Sequence, residues 1–285
     1  MVPAAYTLPL SEIGPALIGP RALLYLVGLM LAEIVTVLVD SRWGVVGHAV
    51  ILAFLVAQSG ISAFPVGNDA ASAPRSVERL RANFLVSLAL VPLIRIVSLA
   101  MPLTQFPEWT WYGLIAVPLL AAAWAAARAC GYTRAEIGLS LDLKPAALLT
   151  TSVVGAAGVG LGYIEYQILH PESLVETLSP VKVAAVTVTL FIGTGLTEEL
   201  IFRGVLQVAG AELFGTMTGI IYSAATFALL HIGHRSAVNV GYVFIVGIAF
   251  GLIARYTRSL AGVTIAHGVT NTCLFVLFPH LLGGG

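Results

Sequence analysis

Charge is what this sequence has least of. Of 285 residues only 10% are Asp, Glu, Lys or Arg, 14 of each sign, so the formal net charge is zero. A chain without basic excess carries no electrostatic footprint for nucleic acid and none for an acidic partner. Cysteine is almost absent as well. Cys130 and Cys273 both lie in apolar segments, at a spacing that fits neither a metal site nor a redox pair, and read as packing residues. His-Glu-x-x-His does not occur, which removes the most direct sequence argument for a zinc hydrolase. The first twenty residues contain prolines and Glu12 but no basic stretch leading into an apolar run, so no cleavable signal peptide is expected, and the first span itself serves as targeting signal. No internal repeat is visible.

What fills the sequence is apolar. Hydrophobic residues make up 58% and mean hydropathy is +0.96, more apolar surface than a water-soluble domain can cover. The expected class is an all-α, polytopic transmembrane helical bundle, integral to the membrane and multi-pass, with the cell membrane as the expected location. Apolar runs bounded by charge, proline or glycine predict about eight or nine spans: 22–39, 44–64, 83–101, 111–130, 145–169, 183–211, 215–233, 237–255 and 259–279. The one long polar connector is expected at Pro65 to Arg81. With nine spans, nine Lys and Arg fall on the side of the N-terminus and three on the other, which predicts a cytoplasmic N-terminus and an external C-terminus. Small-residue stretches at Ala121 to Ala129 and Val153 to Gly162 predict close helix contacts.

In such a chain an ionisable group at membrane depth costs free energy unless it is paired or used. Glu33, His48, Arg95 and Glu165 are such groups, with Glu33 and Arg95 able to pair with each other or to snorkel. The densest set is Gly195-Leu196-Thr197-Glu198-Glu199-Leu200-Ile201-Phe202-Arg203-Gly204. On a helix Glu199 and Arg203 share a face, acid before base, the better order for an ion pair, while Glu198 is turned away by about 100°. Glu199 is thus expected to be held ionised by Arg203, and Glu198 to meet a partner on another helix. A purely structural salt-bridge cluster is the competing reading.

Two more polar groups follow in the chain. Phe227-Ala-Leu-Leu-His231 closes the seventh span, and His267-Gly-Val-Thr-Asn271 lies in the ninth, its spacing of four placing imidazole and carboxamide on one face, both able to donate hydrogen bonds to a developing oxyanion. At about 1.5 Å per residue, Glu198, His231 and His267 all fall within the hydrocarbon slab, so they can converge on one buried chamber.

Glu198-Glu199-x-x-x-Arg203, Phe227-x-x-x-His231 and His267-x-x-x-Asn271 resemble, in the same order, the three motifs of the CAAX protease and bacteriocin-processing family, also called the abortive-infection or Rce1-like family. Any one is weak alone; the three in sequence, with Phe202-Arg203-Gly204 after the acids, are specific. The resemblance covers roughly 181–279. It divides the chain into an N-terminal transmembrane region, 1–180, with about five spans and no recognised motif, and a catalytic module, 181–285.

The resemblance implies a glutamate-dependent intramembrane endopeptidase, a hydrolase without cofactor. In that family's terms Glu198 and His231 activate water, His267 and Asn271 form the oxyanion hole, and Glu199 with Arg203 supports the site. Its implied partners are the lipid bilayer and a membrane-anchored substrate, prenylated CAAX-like peptides among them. Zinc held by His231, His267 and a glutamate is a disfavoured variant. Cys273 lies six residues past His267, about 120° around the helix, and is not expected to act as a nucleophile. A non-catalytic scaffold of the same fold, or a transporter with an ionisable relay, is the rival from another class; scaffold function would survive loss of Glu198.

Overall fold

A computed structural model describes residues 19–62, 76–140 and 143–283. Among them there is no strand, and nine helices are long and apolar enough to cross a membrane: α1 Pro20–Leu38, α2 Ser41–Gly60, α3 Val77–Ala100, α4 Glu108–Ala129, α5 Pro145–Leu169, α6 Pro180–Phe214, α7 Thr216–His234, α8 Ala237–Thr257 and α9 Ala261–Leu282. The chain is an integral, multi-pass membrane protein, and every one of the nine expected spans is present.

The helix boundaries follow local chemistry. Proline opens α1, α5 and α6, where its missing N–H and fixed φ suit the first helical position. Ser76 caps α3, accepting from the Arg79 amide at 3.3 Å, and Ser236 caps α8 through the Asn239 amide at 3.2 Å. The Ser76 cap corrects one expectation: Glu78, Arg79 and Arg81, read as connector, form the charged first turns of α3. The rest of that connector, 65–75, and the end of the second expected span, 63–64, lie outside the described residues. Between α6 and α7 the chain reverses at Gly215, whose φ of 88° is open to glycine without strain. The turn brings Gly210 against Gly219, where an added Cβ on Gly210 would lie 3.2 Å from the Gly219 Cα.

One apolar core runs through the helices, drawing Leu29 from α1, Leu88 from α3, Leu119 from α4, Phe202 from α6, Tyr222 from α7, Phe250 from α8 and Ala266 from α9. The two expected small-residue stretches are packing surfaces. Ala123, Ala126 and Ala127 are buried on α4. On α5, Gly155, Gly158 and Gly162 lie against α9, with a Cβ on Gly162 only 2.7 Å from the Thr270 carbonyl oxygen. Backbone approach of this kind replaces the hydrophobic drive that lipid cannot supply. Cys130 and Cys273 are buried and form no disulfide, as expected of packing residues. The α9 helix is the most enclosed of the nine, and it carries His267 and Asn271.

Candidate active site

The acidic motif lies near the midpoint of α6, which runs for 35 residues. Its backbone is not a regular α-helix there. Phe191–Leu196 and Leu200–Leu206 are π-helical, and Thr197–Glu199 is a short α-helical piece between them. Widened turns of this kind are rare and concentrate at functional sites. Two glycines let neighbours press on the first of them: a Cβ on Gly193 would lie 2.7 Å from the Tyr112 backbone of α4, and one on Gly195 would lie 3.0 Å from the Thr264 carbonyl oxygen of α9.

The two adjacent glutamates part as the spacing predicts. Glu199 is fully buried, and its Oε1 accepts from Arg203 Nη1 at 2.9 Å and from His267 Nδ1 at 2.8 Å. Two donors thus converge on one carboxylate oxygen, pairing the charge at this depth, while the other oxygen, Oε2, is buried without a hydrogen-bond partner among the described residues. Glu198 keeps 28% of its side chain exposed and points into a cavity, with Oε2 3.7 Å from His267 Nε2 on α9. The partner expected on another helix is therefore His267.

Arg203 is held in place by α8 and by aromatic faces. Its guanidinium stands 4.4 Å from the Phe227 ring centroid and 5.7 Å from that of Phe250, and Nη2 reaches the Gly247 carbonyl at 3.4 Å. One turn along α6, Gln207 Nε2 reaches the Gly251 carbonyl at 3.0 Å. Two side chains a turn apart thus meet two carbonyls a turn apart, beside glycines that put no side chain in the way.

His231 sits just past the regular part of α7, at φ −93° and ψ 2°. Its Nδ1 lies 3.0 Å from the Phe227 carbonyl. Since a carbonyl only accepts, Nδ1 carries the proton and Nε2 is left as the acceptor. The same reasoning applies to His267: with Nδ1–H donated to the Glu199 carboxylate, Nε2 carries a second proton only in the imidazolium form. Asn271 Nδ2 donates to Thr194 Oγ1 at 2.8 Å, and Thr194 passes its own hydroxyl proton to the Leu190 carbonyl at 2.6 Å.

Glu198, His231, His267 and Asn271 all line one cavity of about 490 Å³. Glu199 and Arg203 stand behind its wall. Trp111, Tyr112, Ile115, Leu119, Leu274 and Phe275 supply apolar lining, and Cys273 is not part of it. Of the other membrane ionisable groups, Glu165 and Arg95 also reach the cavity. Arg95 pairs with Glu33, one of its two expected fates.

Sequence reading passed over Thr194, Asn239 and the π-helical turns. Asn239 is fully buried and donates to Glu165 Oε1 at 3.0 Å. Thr194 did leave a signal, standing four residues before Glu198 in the motif helix. The π turns left none; the backbone of the first packs closely against Tyr112, Thr264 and Gly268 on other helices, contacts that a sequence does not display.

Residues 180–273 match the model of a family described as type II CAAX prenyl endopeptidase Rce1-like. The match begins at the first residue of α6 and ends just after Asn271, so it contains the whole constellation. No curated protein and no solved structure matches the chain.

Proposed function

Proceeding from an Rce1-like domain, hence a CAAX-type membrane protease at family level, we propose that this chain is a glutamate-type intramembrane endopeptidase acting on a membrane-anchored substrate. The observation that carries this reading is the shared cavity: Glu198, His231, His267 and Asn271, from three helices, face one apolar chamber, while Glu199 and Arg203 hold His267 from behind.

Peptide hydrolysis needs a base for water, a place for the oxyanion and a proton for the leaving amine. Glu198 and the unprotonated Nε2 of His231 take the water proton as its oxygen attacks the scissile carbonyl carbon. The oxyanion is met by the free N–H of Asn271 and by Nε2–H of imidazolium His267. When the C–N bond breaks, the proton held on the base pair passes to the amine nitrogen. Glu199 fixes the His267 ring and balances its charge, and Arg203 holds the Glu199 carboxylate in place. Each oxyanion donor is worth about 10²–10³ in rate in comparable sites.

A chamber of this volume takes the few residues around the scissile bond. A substrate whose lipid or apolar anchor stays in the bilayer fits it best, with prenylated CAAX-like peptides the first to try and the cell membrane as the setting. Among the described residues no three His, Cys, Asp or Glu side chains are grouped to hold an ion, and the chelator arm of the test below decides on zinc.

The test is cleavage in reconstituted bilayers, wild type against Glu198→Gln, on farnesylated CAAX peptides and on unlipidated apolar peptides, with and without chelator. Cleavage confined to the farnesylated set, indifferent to chelator and lost in the variant, is the expected result. Chelator inhibition reversed by zinc would establish the metal-dependent variant instead, and full activity of Glu198→Gln would remove Glu198 from the mechanism.

A further inference from the structure

The helices before the matched segment carry a second buried polar cluster, and it touches the first. Glu33 on α1 is fully buried, as is His48 on α2. Glu33 Oε1 accepts from Arg95 Nε of α3 at 2.5 Å and lies 3.3 Å from His48 Nε2. The Arg95 guanidinium then extends to the far side, where Nη2 donates to the Leu230 carbonyl. Leu230 precedes His231.

That carbonyl belongs to the end of the regular part of α7, where backbone oxygens have lost their helical donors and need partners from elsewhere. His231 hangs on the same frayed turn, its Nδ1 bonded back to Phe227. The turn is fixed to α1 a second time, since Arg235 Nη2 donates to the Val37 carbonyl at 2.9 Å. Glu33 and Val37 are one helical turn apart, so α1 presents a carboxylate and a carbonyl on one face, and two arginines bridge them to the His231 turn. Apolar side chains would join these helices without burying a charge pair, and desolvating such a pair is costly. What apolar packing does not provide is a directed hydrogen bond to one carbonyl beside the histidine.

We propose that Arg95, fixed by Glu33, is a positioning residue that sets the place of the His231 imidazole in the cavity, so that the N-terminal helices form part of the catalytic apparatus. This rests on the peptidase reading above. The guanidinium suits the task because its planar fork serves a carboxylate and a carbonyl at once, in a fixed relative orientation. Lysine keeps the charge and loses that two-sided geometry.

The experiment uses the full chain in bilayers, with Arg95→Lys and Glu33→Gln assayed on the peptide cleaved by wild type, and with ¹⁵N spectra of histidine-labelled protein, the His231 signals identified by their loss in His231→Gln. Displacing a catalytic group by about 1 Å costs about 10²-fold, so kcat is expected to fall about 100-fold with KM little changed. His231 should also lose its single Nδ1-protonated signal set. Unchanged kcat with unmoved His231 signals in either variant overturns the proposal, and so does a rise in KM at constant kcat, which would make Arg95 a substrate-binding group. If a single variant fails to fold, the neutral pair Glu33→Gln with Arg95→Gln removes the uncompensated charge; normal His231 signals in that pair also overturn it. Should wild type cleave no peptide, the peptidase reading fails, and the spectra still decide the positioning role.

Discussion

His267 and Glu199, from helices α9 and α6, share a hydrogen bond of 2.8 Å in which the imidazole Nδ1 donates to the same carboxylate oxygen that receives Arg203. The acid therefore orients the histidine, and the arginine orients the acid. Glu198, one residue earlier, is left to face the chamber.

Glu199→Gln breaks this chain while preserving shape. It leaves the Arg203 guanidinium buried beside a neutral amide, and removing one member of a buried pair costs about 3 kcal/mol. The expected outcome is a lower unfolding midpoint in detergent together with loss of cleavage. Glu198→Gln, by contrast, should lose cleavage at an unchanged midpoint, because Glu198 is partly exposed to the cavity.

Thr194→Val removes the acceptor that holds the Asn271 carboxamide. The amide is then free to rotate, and kcat is expected to drop roughly 10-fold or more, short of the 10²–10³ expected for Asn271→Ala. Steady-state kinetics of the two variants on one peptide provide the check, with Thr194→Val milder than Asn271→Ala and neither raising KM.

Gly158→Val drives a side chain from α5 into Ala266 and Val269 of α9. Overpacking of this kind costs about 1–3 kcal/mol. Since His267 follows Ala266 directly, the loss of thermal stability should be accompanied by reduced kcat, whereas Gly160→Val on the same helix, where an added Cβ meets nothing within 4 Å, should leave both unchanged.

Phe227→Leu removes a ring that stands 4.8 Å from the His231 ring, edge to face, and under the Arg203 guanidinium. A desolvated cation–π contact is worth about 2 kcal/mol. A fall in the unfolding midpoint, with a several-fold lower kcat from the less restrained His231, is the expected result in parallel melting and kinetic measurements.

Much of this arrangement was legible because a membrane simplifies the sequence. Apolar length alone located the nine spans, scarcity of charge singled out Glu198, Glu199 and Arg203, and polar groups at helical spacing and motif order added His231, His267 and Asn271. The Glu199–Arg203 pair followed from a spacing of four, which survived although Arg203 lies inside the second π-helical stretch. Those turns themselves were illegible, and the close approach of Tyr112 and Thr264 to the first of them is made from other helices. The start of α3 was misplaced because Glu78, Arg79 and Arg81 carry the polarity of a connector, although Ser76 in front of them is a good cap. The clamp from Glu33 through Arg95 to Leu230 ends on a backbone oxygen, and a backbone acceptor leaves no mark in a sequence.

The length of α6 has a mechanical consequence. Its 35 residues extend for about 50 Å, well beyond a hydrocarbon layer of about 30 Å. A helix longer than the layer is accommodated by tilting, and a tilt about its midpoint sweeps the ends through large arcs while the middle hardly moves. Glu198 stands near that middle, at the fulcrum. On the peptidase reading proposed above, the carboxylate therefore meets its substrate at a depth that changes little with the thickness of the surrounding membrane.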